Sequence, residues 1–182
     1  MNSTSALRIL SDWGQKGRVV FTTTDLRKLF PEDTDRAFRK GLDRLLKAGD
    51  LVRAANGVFI YTRSGTTGAN HLEEIAAAIR RGSYCYLSLE TALSENGIIS
   101  QIPLSGITVM TTGRSGVFQT PYGRIEFTHT KRSPADILEN TRDVGRPLRL
   151  ASPEAARRDL LRVGHNTHLI DEGAYEEVVS GG

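Results

Sequence analysis

One cysteine, Cys85, stands in a chain of 182 residues. A lone thiol can build neither an internal disulfide nor a thiolate zinc cage, which suits a reducing compartment. Long apolar runs are missing too: none approaches the roughly 20 residues a bilayer crossing needs. The first ten residues, MNSTSALRIL, hold neither a basic leader nor a long apolar core. No signal peptide is therefore expected, and the expected location is cytoplasmic. With 38% apolar and 25% charged residues the chain reads as globular, neither disordered nor membrane-spanning. Its length suits two small domains or one medium one.

Catalytic patterns are equally scarce. His165 and His168 sit three apart and would chelate a metal if helical, but no third ligand follows at a fixed spacing, and Gly164 and Asn166 mark a loop. Cys85 lies between Tyr84 and Tyr86 in an apolar run, the setting of a buried, inert thiol. Ser88 and Glu90 lack the glycines of a nucleophile elbow. Gly113 and Gly116 flank Arg114 without a lysine or a following helix to cradle phosphate, and read as a hairpin turn. His129, between Thr128 and Thr130, reads as a hydrogen-bonded strand residue. No enzyme activity, cofactor or metal is expected.

What is present is an uneven distribution of charge. Residues 1–65 hold 12 Lys+Arg against 7 Asp+Glu, net +5, and residues 66–182 hold 12 against 14, net −2. A basic N-terminal third is the footprint of a phosphate-binding surface, although a solvated helix face carries a similar excess.

The order of local signals in that third is specific. Ser5 or Ser3 can cap a helix carrying Leu7, Leu10 and Trp13, closed by Gly14 and Gly17. Arg18 to Phe21 is β-prone. Thr24 makes a good N-cap for a short helix with Leu26, Leu29 and Phe30 inward, stopped by Pro31. Asp33 or Thr34 opens the next helix, to about Ala48, with Phe38, Leu42, Leu45 and Leu46 on one stripe. Mid-helix Gly41 costs about 1 kcal/mol relative to alanine, so it points to close packing or close backbone approach. Two β-prone runs then flank Asn56-Gly57, the strongest short hairpin signal because both residues tolerate positive φ.

This order describes a winged helix-turn-helix, a module for duplex DNA. If Phe38 and Leu42 pack inward, the helix turns cations outward, and its N-terminal turns come nearest the base edges. Thr34, Arg36, Arg39 and Lys40 are the candidates for groove contacts, with Arg44 for phosphate. Arg53, Asn56 and Arg63 would let the wing touch backbone or minor groove. Thr23 and Thr24 could offer hydroxyl or amide donors to phosphate. A protein-interaction module with merely solvating charges is the alternative.

Beyond a glycine-rich stretch, Asn70 can cap a helix from His71 to Arg81 with Leu72, Ile75, Ala76 and Ile79 inward. Ser83 to Ser88 is β-like, and Ser88 can cap a helix from Leu89 to Asn96. Residues 106–112, 117–120 and 124–129 read as strands, turned at Gly113–Gly116 and at Pro121-Tyr122-Gly123. Ser152-Pro153-Glu154 opens a helix to about Arg162. Arg114, Arg124, Lys131 and Arg132 extend a nucleic-acid surface or keep a sheet edge soluble. The expected fold class is α+β, with a winged helix-turn-helix over 1–63, a linker over 64–70, and a mixed α/β domain over 71–170. That domain would carry a mainly antiparallel sheet, followed by a loosely held acidic tail over 171–182.

Tyr86-Leu-Ser-Leu-Glu-Thr-Ala-Leu93, Gly97-Ile98-Ile99, Gln101-Ile102-Pro103, Ile107-Thr-Val109 and Phe127-x-His129 together resemble the core of the AbiEi-type antitoxins of type IV toxin–antitoxin systems. Val20-Phe-Thr-Thr-Thr-Asp-Leu26, Leu45-x-x-Ala-Gly-Asp-Leu-Val-Arg53 and Gly57-Val58-Phe59 resemble that family's winged helix. The likeness spans roughly residues 5–160. It implies a repressor that binds double-stranded operator DNA at inverted repeats in its own operon. It also implies a C-terminal domain that counters a nucleotidyltransferase-like toxin. Self-association on DNA is a separate expectation, because winged helices often act as pairs on palindromes. A mobile-element regulator without a toxin, or a winged-helix adaptor, remains the alternative.

Overall fold

A computed structural model of the chain describes residues 2–64, 70–99 and 106–181. The architecture is α+β, and the chain divides into two units, Met1–His71 and Leu72–Gly182. Residues 65–69 of the expected linker, and the Gln101-Ile102-Pro103 segment, lie outside the described residues.

The first unit runs α1 (Ser3–Gln15), β1 (Val20–Thr22), α2 (Thr23–Leu29), α3 (Asp35–Lys47), β2 (Leu51–Ala55) and β3 (Val58–Tyr61). Each helix is started by a side chain that satisfies an orphan amide of the first turn. For α1 that residue is Asn2, whose side chain accepts from the Thr4 amide; neither Ser3 nor Ser5 is the cap. For α2 it is Thr22, not Thr24. Thr22 and Asp25 form a reciprocal capping box, and Arg18 reaches the same Asp25 carboxylate at 3.0 Å. Of the two candidates for α3, Thr34 is the cap, accepting from the Ala37 amide.

Phe38, Gly41, Leu42 and Leu45 are the buried face of α3. Phe38, Leu42 and Leu45 join Ala6 and Leu10 of α1, Leu26 of α2 and Phe59 of β3 in one core. Burying each large apolar side chain contributes roughly 1.5–3 kcal/mol, enough to set which way α3 faces. The strands form an antiparallel sheet in the order β1-β3-β2. At the β2–β3 turn only Gly57 takes a positive φ, +71°; Asn56 does not. A register shift between Arg53 and Ala55 lets the two-residue turn close.

The second unit contains α4 (His71–Ile79), β4 (Cys85–Leu87), α5 (Leu89–Glu95), β5 (Gly106–Thr111), β6 (Gly116–Thr120) and β7 (Gly123–His129). It continues with α6 (Pro134–Glu139), β8 (Thr141–Arg142), β9 (Arg149–Ala151), α7 (Pro153–Val163) and α8 (Glu172–Ser180). The six strands order as β6-β7-β5-β4-β9-β8. Three of its five pairings are antiparallel, but the sheet is mixed, because β5 pairs in parallel with β7 and β4 with β9. Gly113–Gly116 therefore does not close a hairpin: β7 lies between β5 and β6. That strand pairs with β6 through the Pro121-Tyr122 turn, and with β5 on its other side.

Two further expectations are corrected. Ser88 precedes α5 but makes no cap bond; its hydroxyl donates instead to Asp159 of α7 at 2.8 Å. The acidic tail is helical over Glu172–Ser180, capped by Asp171. Arg157 holds that helix by pairing with Glu172 and lying 4.8 Å over the Tyr175 ring.

Buried charged side chains explain how this unit packs. Asp159, with no exposure, accepts from Tyr86, Ser88 and Arg132, so α7 is pinned to β4 by charge-assisted bonds. Burial and the adjacent Asp159 carboxylate push the Tyr86 phenol upward, keeping it a protonated donor. Glu73 of α4 accepts from the Leu148 amide and pairs with Arg146, which also reaches Glu95. Burial raises the Glu73 carboxyl above its ordinary value.

Candidate nucleic-acid interface

The outward face of α3 follows from its inward one. With Phe38, Leu42 and Leu45 buried, the 100° step per residue places Arg36, Lys40, Asp43 and Lys47 on the opposite side, with Arg39 and Arg44 on its flanks. All six are exposed. The side chains of Arg36, Arg39 and Lys40 make no hydrogen bond or ion pair among the described residues. Among the described residues no ion pair cancels their charges.

Arg27 of α2 behaves differently, and sequence reasoning missed it. Its guanidinium donates to the Asp33 carbonyl at 2.7 Å, pairs with Asp35 at 3.0 Å and lies 5.3 Å over the Phe38 ring. It joins α2 to the turn before α3 and to the first turn of α3 itself. Arg27 and Asp35 lie in two different helices with Pro31 between them, so only the folded turn brings them together.

The remaining candidates fall into two groups. Thr34 is exposed, but its hydroxyl oxygen accepts from the Ala37 amide at 3.3 Å, so its first role is to start α3. Thr23 and Thr24 are exposed in the first turn of α2. The Thr23 amide already donates to the Gly57 carbonyl at 2.8 Å, so it is not spare for phosphate; the Thr24 side chain makes no hydrogen bond among the described residues. Arg53 is exposed, with its guanidinium 5.0 Å over the Phe59 ring, and Asn56 is exposed at the hairpin tip. Arg63 pairs with the buried carboxylate of Asp50, so it compensates an internal charge.

In the second unit, Arg132 is committed to Asp136 and Asp159, and Arg124 pairs with Glu126 at 2.7 Å. Arg114 and Lys131 are exposed, and their side chains have no such partner among the described residues. His129 hydrogen-bonds through Nδ1 to the Gly113 carbonyl at 2.8 Å. Among the described residues no three of His, Cys, Asp and Glu come together as a metal site, and no helix is long and apolar enough to cross a membrane.

The geometry defines an α+β protein whose first unit exposes Arg36, Arg39 and Lys40 on one helix, their side chains without partners among the described residues. In fold the chain is similar to the crystal structure of the RV2827C protein from Mycobacterium tuberculosis, with a TM-score of 0.59 over 98% of this chain and 72% of that one. Sequence identity is 16%, so the likeness is one of fold alone. No protein-family model matches the chain, and no curated protein does.

Proposed function

We propose that the Met1–His71 unit is a winged helix-turn-helix, with α3 as recognition helix and β2–β3 as wing. On this reading the chain is a cytoplasmic repressor and antitoxin of a type IV toxin–antitoxin system, acting by binding rather than catalysis. It would hold inverted repeats in its own operon and counter a nucleotidyltransferase-like toxin. The observation that carries the DNA reading is the outward line of Arg36, Arg39 and Lys40, exposed and without partners among the described residues on a helix whose other face is buried. The element order and the hairpin placed next to α2 support it. The toxin reading rests on the resemblance of Tyr86–Leu93 and its neighbours to the AbiEi-type antitoxins.

The test is an electrophoretic shift of the chain's own upstream DNA against scrambled DNA at ~0.15 M salt, where non-specific affinity is weak. Equal binding to both removes the repressor reading. For the second half, co-expression should relieve growth arrest by a nucleotidyltransferase-like protein encoded beside it, and failure to relieve it removes the antitoxin reading.

A further inference from the structure

Between α2 and the middle of α3 lies a hollow of about 410 Å³. The nearly buried Phe38 and Leu42 form its floor, and the exposed Thr23, Thr24, Lys28 and Arg39 form its rim. That volume is within the roughly 300–1,000 Å³ of small-molecule sites. A phosphate bound at the rim would leave the apolar floor uncovered.

Charge narrows the occupant. Of the charged groups lining the hollow, Arg27 and Asp35 neutralise each other at 3.0 Å. Lys28 and Arg39 have no carboxylate partner among the described residues, so two positive charges remain uncompensated over an apolar floor. A flat apolar body with a single anionic group satisfies both features. A neutral hydrocarbon would leave the cations without a counter-charge, and a bare anion would leave the floor unfilled.

We propose that this hollow binds a small aromatic carboxylate, its ring against Phe38 and Leu42 and its carboxylate on Lys28 and Arg39. Because Arg39 also belongs to the outward face of α3, occupancy competes with DNA; this second half rests on the DNA-binding reading above. The site would make the protein responsive to an aromatic acid, with release of DNA as the output.

The probe is 2-naphthoate, titrated into the full chain while backbone amide resonances are followed. Saturable shifts are expected over Thr23–Lys28 and Phe38–Leu42, with a Kd of about 1 mM or tighter, as the efficiency of drug-sized ligands gives for a compound this small. The neutral isostere 2-naphthylmethanol should bind about tenfold more weakly, as should 2-naphthoate to Lys28→Glu, a change at an exposed position. Shifts that do not saturate, that fall mainly in the second unit, or that are matched by the neutral isostere overturn the site. Displacement of labelled upstream DNA by 2-naphthoate supports competition, and simultaneous binding overturns it. If the duplex fails to bind without any acid present, the DNA reading and the competition fall together, while the resonance titration still decides the site.

Discussion

The backbone N–H of Thr23 donates to the carbonyl of Gly57 at 2.8 Å, fastening the first turn of α2 to the tip of the β2–β3 hairpin. The Thr23 hydroxyl lies 3.4 Å from the same oxygen. These residues are 34 apart in the chain, yet the bond ties the hairpin tip to the same helix that Arg27 joins to α3. Hairpin and helix pair are thereby held as one surface.

Gly57 makes that arrangement possible at a φ of +71°, where a side chain is strained. A Cβ there would meet the Thr23 hydroxyl at 3.4 Å, an ordinary approach, so backbone strain should dominate. Gly57→Ala is expected to cost about 1–2 kcal/mol in urea unfolding. A change within ~0.5 kcal/mol, the usual range of featureless surface substitutions, would show that the turn relaxes freely.

On the DNA-binding reading proposed above, the exposed cations of α3 should divide by role. Arg36→Ala and Arg39→Ala are expected to relax sequence preference by ~1–3 kcal/mol for each bidentate hydrogen-bonded pairing with a base that the variant removes. Arg44→Ala should instead weaken all duplexes alike and reduce the salt slope by about 1. Competition binding at several salt concentrations measures both effects. Uniform weakening by all three variants would assign the whole face to phosphate.

Asp159 predicts a large stability effect in the second unit. Arg132→Met would leave a buried carboxylate without its cation and is expected to destabilise the second unit by ~3–5 kcal/mol. Adding Asp159→Asn should recover part of that loss, because no uncompensated charge is then buried. Chemical denaturation of single and double variants checks this, and absence of recovery points to packing as the cause.

Glu73 predicts a pH dependence. Burial raises its folded pKa above the ordinary 4.5, so the native state holds this proton more tightly than the unfolded chain. Its contribution to stability is therefore fully present below the unfolded value and is lost as pH rises through the folded one. Glu73→Gln removes this proton linkage. The variant should gain stability relative to the parent as pH increases from about 4.5 upward. Paired unfolding curves across that range measure the difference, and parallel curves would show that Arg146 and the Leu148 amide offset the burial.

Much of the first unit was legible in the residues. The stripe Phe38-Leu42-Leu45 gave α3 and the direction of its cations, because helical spacing and burial are local rules. Thr22 was missed as the cap of α2 because three threonines in a row offer the same chemistry, and only Asp25 in its reciprocal bond selects among them. In the second unit the strand segments were readable, but not the partners. Gly113–Gly116 has the composition of a hairpin turn, yet β7 occupies the place beside β5 that a hairpin would have given to β6.

By itself the sequence determined the helices of the first unit, the inward and outward faces of α3, and the turn at Gly57, since each depends on residues within one or two turns of chain. Tertiary structure alone decided the mixed sheet order, the burial of Asp159 and Glu73, and the commitment of Arg27 and Arg63 to internal partners. Those depend on residues remote in sequence meeting in space, where any cation can join any carboxylate until packing chooses the pair.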